Sequence, residues 1–223
     1  MEIINQCHNP PRGALWHLRR SLGWINASDL EGLYCVRLLD ALPEPNEESD
    51  EFYKYAWKEG HHIYGIYSPE NRNTVSCITL NLGDIYRLVP FIYWWTTVPT
   101  LLIAHSLAHE VAHHLVATRG YVFKNGENLE HREYEEVAAN RYAFYVVKKM
   151  EERWYYRLAR WMIKDLADHH HVLALLDWRE KKYEKSAEHW YRAWCLNPEL
   201  DEAAYWYLRA RKMCSGAEEQ QTE

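Results

Sequence analysis

The sequence predicts an α+β fold, in which a small β-sheet and a pair of long helices precede a C-terminal part built only from helices. Short segments of alternating polarity between residues 61 and 82 indicate strands, and longer segments of helical periodicity follow them. No strand pattern occurs in the C-terminal third of the chain. Of the 223 residues, 48% are hydrophobic and 26% are charged, which is typical of globular domains. We therefore expect two folded parts and a disordered tail, with the bounds 1–152, 153–214 and 215–223.

The first 50 residues are expected to form a helical segment that ends in an acidic loop. Two amphipathic stretches, Ala14–Leu22 and Ala27–Leu39, indicate helices, and Asn26 or Ser28 is suited to cap the second one. The stretch Pro43–Glu51 is acidic and interrupted by prolines, so we expect an exposed loop there.

Two short strands come next along the chain. His61–Tyr67 and Thr74–Leu82 alternate apolar and polar residues and contain β-branched side chains. The turn-rich sequence SPENRN lies between them. We expect a hairpin, or at least two short strands, in this region.

From Thr97 onward the periodicity becomes helical. Pro99 suits the first turn of a helix, and Gly120 suits its C-terminal end. Apolar residues occupy nearly every face of this helix, which predicts that it is central and buried. A second long helix is expected to begin near Leu129.

The buried helix contains the sequence His109-Glu110-Val111-Ala112-His113, which is an HExxH motif. Residues four apart lie on one face of a helix, so both imidazoles can reach one metal ion. Glu110 lies about 100° around the helix from His109. It is therefore placed beside the metal, where a base can take a proton from metal-bound water.

A catalytic zinc site needs a third protein ligand and an open position. The second long helix offers Glu136, and Asn140 lies four residues later on the same face. Ala139 and Ala143 flank these residues and allow the two helices to approach closely. Glu135, which faces a neighbouring direction, is the alternative ligand.

This pair of motifs, HExxH followed by Glu-x-x-x-Asn on the next helix, resembles the gluzincin metallopeptidases. Within them, the sequence most resembles the ImmA/IrrE-type peptidases and the small minigluzincins, over roughly residues 99–150. The resemblance implies a zincin-like helix pair in which His109, His113 and Glu136 bind Zn²⁺. It also implies that Asn140 holds the ring of His109 in orientation.

The function predicted from these residues is a zinc-dependent endopeptidase that hydrolyses peptide bonds of a protein substrate, with zinc-bound water activated by Glu110. Such a reaction needs a donor that stabilises the oxyanion. His131 and Tyr142 are the leading candidates for this donor, and Tyr134 and Tyr145 stay open. The rival hypothesis is an adaptor or regulatory protein on a zincin scaffold, catalytically inactive or latent, which binds a protein partner through its C-terminal helices.

Those C-terminal helices match part of the tetratricopeptide pattern between Ala167 and Asn197. Residues that fall at the expected offsets are Leu173, Ala174, Tyr183, Ser186, Trp190, Ala193 and Pro198. We expect one TPR-like hairpin with a capping helix over Glu199–Met213. One such repeat does not bury its own apolar face, so it has to pack on something.

Composition restricts the partners and the location of the protein. The net charge is −6, which excludes non-specific nucleic-acid binding through a basic field. The five widely spaced cysteines form no CxxC and no secretory leader is visible, so we expect reduced thiols and a cytoplasmic protein.

The uncharged run Leu88–Ala104 contains two prolines, and we do not expect a membrane partner. We expect this run to be a buried loop that continues into the buried helix, and its segment Phe91–Trp95 could pack in the core, line an apolar substrate pocket or contact a membrane surface.

Overall fold

The computed structural model describes residues 1–44, 64–70, 75–119, 132–197 and 200–219, and the side chains of residues 132–137, 201, 204 and 215–219 are outside this description. The chain divides into two compact units, Met1–Arg157 and Leu158–Glu223. The described part of the chain is an α+β fold with seven α-helices and one sheet of four strands.

The sheet belongs to the first unit and is mixed. Its strands are β1 (Glu2–Asn5), β2 (Cys35–Leu39), β3 (Gly65–Ser68) and β4 (Cys77–Asn81), in the order β1-β2-β4-β3. β1 and β4 both run parallel to β2, whereas β3 pairs with β4 in the antiparallel direction. All five residues of β4 are buried, so β4 is the centre of the sheet and β3 forms one edge.

Four helices lie wholly within the described part of the first unit: α1 (Ala14–Leu22), α2 (Leu82–Arg87), α3 (Val98–Arg119) and α4 (Arg132–Met150). α3 contacts α1, α2, α4, β3 and β4, which explains why its sequence is apolar on nearly every face. Most of its side chains are buried, and a half-buried stripe runs along one side at positions 105, 109, 113 and 116. His109 and His113 thus lie on the less buried side of a largely enclosed helix, whereas the polar residues Thr100, Glu110 and His114 are buried.

Polar contacts fix α1 against the start of α3. Nδ1 of His17 lies 2.7 Å from the Thr100 hydroxyl, and the Ser21 hydroxyl donates to the Thr100 carbonyl at 2.9 Å. All three residues are buried, and buried polar groups are tolerated when they are hydrogen-bonded in this way. Burial lowers the pKa of His17, so this histidine is neutral at pH 7.

The second unit is helical. Its elements are α5 (Trp154–Arg179), whose first residues belong to the first unit, α6 (Tyr183–Leu196) and α7 (Asp201–Glu219). The Ser186 hydroxyl donates to the Ala174 carbonyl at 2.8 Å and ties α6 to α5. The buried ring of Trp190 stacks on Trp206 and packs against Trp178. An aromatic cluster therefore joins all three helices.

Several predicted elements are confirmed. The first helix has the predicted bounds Ala14–Leu22, and the buried helix covers Val98–Arg119. β3 and β4 pair with each other and overlap the predicted strand regions, although β3 extends one residue beyond Tyr67 and residues 61–63 and 71–74 are outside the described part.

The predicted helix Ala27–Leu39 is wrong. A 3₁₀ turn covers Ala27–Leu30, and β2 follows it. Gly32 has a φ of 83°, a left-handed conformation that ends the turn. The strand β1 was not predicted, since it has only four residues and two of them are polar.

The boundaries of the two parts also differ from the expected ones. The units divide at Arg157 rather than at residue 152, because Tyr156 packs against Trp24 of the first unit. The helix α7 continues to Glu219, so the first residues of the predicted disordered tail are helical. Residues 45–51 of the predicted acidic loop lie outside the description. Within the described residues, no helix is long and apolar enough to cross a membrane.

Candidate metal centre

The two histidines of the HExxH motif face each other across one turn of α3. Nε2 of His109 and Nε2 of His113 are 3.2 Å apart. Two nitrogen ligands of a tetrahedral zinc ion, each ~2.05 Å from it, lie about 3.3 Å apart. The spacing of these donor atoms therefore fits one tetrahedral ion.

Asn140 of α4 lies against the other nitrogen of His109. Its Oδ1 is 3.1 Å from His109 Nδ1, so Nδ1–H can donate to the amide oxygen. That contact places the proton on Nδ1 and leaves the lone pair on Nε2 for a metal. The close approach of the two helices is possible because Ala139 and Ala143, both buried, are small.

Glu110 points away from this histidine face and toward the edge strand β3. Its side chain is buried, with 7% of its surface exposed. A methyl group placed on Gly65 would lie 2.8 Å from Glu110 Cγ and 3.0 Å from Oε1, which is closer than such atoms approach in folded proteins. Only glycine at position 65 leaves room for the carboxylate in this position.

His114, the residue after the motif, fixes α3 to its surroundings. It is fully buried, and its Nε2–H donates to the Glu31 carbonyl at 2.8 Å. Its Nδ1 accepts from the hydroxyls of Tyr67 at 3.2 Å and of Ser76 at 3.4 Å. The helix is thereby linked to β3 and to the residue before β4. The sequence did not distinguish this anchor from a solvent-exposed histidine.

Tyr142, a candidate oxyanion donor, has an identified acceptor. Its hydroxyl donates to the Asp29 carboxylate at 2.7 Å. The same carboxylate lies 3.7 Å from the Arg119 guanidinium at the end of α3. This cluster connects α3 and α4 to the 3₁₀ turn near residue 29.

The other predicted site residues are not all described. His131 lies outside the described residues, and so do the side chains of Tyr134, Glu135 and Glu136, although their backbone belongs to α4. Tyr145 is described and is 58% exposed. Among the side chains that the structure describes, no group of three His, Cys, Asp or Glu residues is placed to bind a metal.

A second close pair of histidines lies in the helical unit. Nδ1 of His170 and Nδ1 of His189 are 3.0 Å apart, and the rings stack with centroids 5.2 Å apart. Burial and, to a smaller extent, the charges of His189, Arg192 and His169 together lower the pKa of His170 to about 4. His170 belongs to the run of three histidines His169-His170-His171. Among the described side chains, it is the only one of the three that forms such a close pair with His189.

Comparison with known proteins gave no match: no family model, no curated protein and no solved structure is similar to this chain.

Proposed function

We propose that the protein is a zinc-dependent endopeptidase in which His109, His113 and Glu136 bind Zn²⁺. The observation that carries the proposal is the 3.2 Å separation of the two Nε2 atoms, because it suits two ligands of one ion. The contact between His109 and Asn140 supports it, since metal-binding histidines commonly donate their other N–H to an oxygen. Glu136 is included as the third ligand because the sequence around it resembles the gluzincin motif and because it lies one helical turn before Asn140.

Glu110 is the proposed general base. When bound, zinc polarises a carbonyl and lowers the pKa of a water molecule. The buried Glu110 carboxylate holds the abstracted proton and then delivers it to the leaving amine. Packing against Gly65 limits the movement of this carboxylate.

β3 is the proposed binding edge for the substrate. It is the last strand in the order of the sheet, and it pairs with β4 on its other side. An extended peptide can add to such an edge through main-chain hydrogen bonds. Gly65 lies on this strand next to Glu110, so a peptide added here would pass the proposed base.

His131 and Tyr142 remain the proposed donors to the oxyanion. The Tyr142 hydroxyl has a single proton and donates it to Asp29, which favours His131.

We assign the activity to the cytoplasm on the strength of the sequence, whose five cysteines show no CxxC spacing.

The alternative function, an adaptor that binds a protein partner through TPR-like helices, is favoured by one observation. A shallow pocket of about 440 Å³ lies on α7 and is lined by Tyr205, Leu208, Arg209 and Lys212. Aromatic and arginine side chains are enriched where proteins bind each other. A zinc-free protein that binds a partner through this pocket would support the adaptor.

The replacement Glu110→Gln tests the enzyme proposal. We expect zinc content to be unchanged and cleavage of a quenched fluorescent peptide library to fall roughly 10²–10⁴-fold, because the general base is lost. Glu184→Gln on α6 is the control and should cleave like the parent protein. Full cleavage by Glu110→Gln, or loss of zinc from it, would contradict the assigned role.

A further inference from the structure

A group of large apolar side chains is exposed on the first unit, around the loop before α3. Phe91, Ile92 and Trp95 are 62%, 71% and 59% exposed. The loop itself is anchored, because Trp94 packs edge-on against the buried ring of Tyr86 and donates from Nε1 to the Val89 carbonyl. The three exposed side chains are thus held outward on a fixed base rather than packed in the core.

The N-terminal end of α1 lies beside this loop and adds arginines to it. His17 connects the two, since its Nε2 lies 3.4 Å from the Trp94 carbonyl. The Arg12 guanidinium lies 5.0 Å above the ring of Trp95, and the Arg20 guanidinium lies 4.8 Å from the ring of Trp16. The aromatic–arginine face is defined here by Arg12, Trp16, Arg19, Arg20, Phe91, Ile92 and Trp95.

The charge of this face is opposite to that of the whole chain. Residues 7–28 contain three arginines and no acidic residue, residues 88–108 contain no charged residue, and the chain as a whole carries −6. None of Arg12, Arg19 and Arg20 forms an ion pair with a carboxylate in the described part of the chain. The charges of Arg12 and Arg19 are therefore available to an external anion, whereas the Arg20 guanidinium also lies over the rings of Tyr155 and Tyr156.

We propose that the aromatic–arginine face binds the surface of a membrane that contains anionic lipid. Trp and Phe favour the interface between headgroups and acyl chains, and arginines beside them can reach the headgroup phosphates. A polybasic patch and an apolar insertion together give the two signals that stable peripheral binding needs. No helix of the described residues spans a membrane, so the protein would lie on the surface.

Charge favours a lipid surface over a second copy of the chain. In a symmetric dimer the same patch meets itself, and the unpaired arginines of both copies would come together. An anionic membrane instead attracts this face and repels the acidic remainder, which orients the protein. This proposal does not depend on zinc or on peptidase activity.

Co-sedimentation of the full-length protein with vesicles tests the proposal. We expect binding to phosphatidylcholine vesicles that contain about a third phosphatidylserine, and little binding to pure phosphatidylcholine. The double variant Phe91→Ser/Ile92→Ser should bind about tenfold more weakly. The affinity of Arg12→Gln/Arg19→Gln for the anionic vesicles should fall roughly 25-fold, since each basic residue contributes about fivefold.

The matched control is Val172→Ser/Leu176→Ser, which removes two exposed aliphatic side chains from α5 and should bind like the parent. Equal circular dichroism spectra establish that the variants are folded. Binding that is absent from anionic vesicles, or unchanged in both face variants, would overturn the proposal. The proposal would also be overturned if the parent protein bound no vesicles but dimerised with increasing concentration, and if Phe91→Ser/Ile92→Ser abolished this dimerisation.

Discussion

Two contacts between single residues determine the geometry of the candidate site. Asn140 Oδ1 holds His109 through Nδ1, and Gly65 gives Glu110 space on the other side of the helix. The first contact could be predicted, because the resemblance to the gluzincins implied that Asn140 orients the ring of His109. The second could not, because a glycine in a strand region does not reveal which side chain it faces.

We predict that Gly65→Ala impairs catalysis while zinc stays bound. The new methyl group has to displace the Glu110 carboxylate, and a small displacement of a catalytic group costs about 10²-fold in rate. The measurement is kcat on a cleaved peptide together with zinc content, with Ser68→Ala on the same strand as control. Unchanged kcat in Gly65→Ala would show that the contact does not position the carboxylate.

Among the elements, the long helices were predictable and the N-terminal strands were not. Pro99 lies in the first turn of α3, and the apolar faces of this helix reflect its contacts with two strands and three helices. β2 was misread as a helix because its five residues, CVRLL, are too few to separate strand from helix periodicity. Its parallel pairing with β1 and β4 is set by residues far away in the sequence.

The packing of α5 on α6 should depend on pH. The pKa of His170 is lowered to about 4, mainly by burial and less by the charges of His189, Arg192 and His169. Burial also lowers the pKa of His189, although the carboxylates of Asp177 and Glu188 act in the opposite direction. The unfolded chain therefore binds more protons than the folded one between pH ~6.5 and pH ~4. Stability is fully present above pH ~6.5 and falls as the pH drops toward ~4.

We predict that the free energy of unfolding decreases by on the order of 2 kcal/mol over this range. Urea unfolding followed by tryptophan fluorescence at several pH values measures it. His170→Asn should flatten this dependence, whereas His8→Asn, on an exposed position of the first unit, should leave it nearly unchanged. Equal slopes for the parent and His170→Asn would contradict the explanation.

For the whole molecule, the sequence indicated an α+β part followed by a helical part, and the structure has both. The sequence could not indicate the aromatic–arginine face, since residues 12–20 and 91–95 are far apart in the chain. The hydrogen bonds of His17 and Ser21 to Thr100 bring them together. Long-range contacts of this kind also bring Asn140 to His109, whereas the HExxH spacing is local and was visible from the start.

The central claim is that this chain binds zinc through His109, His113 and Glu136. Metal analysis of the purified full-length protein and three variants tests it most directly. The parent and Glu110→Gln should each contain about one zinc ion per chain, and His113→Ala and Glu136→Ala should lose it while remaining folded. Absence of zinc from the parent, or its retention in both ligand variants, would contradict the account.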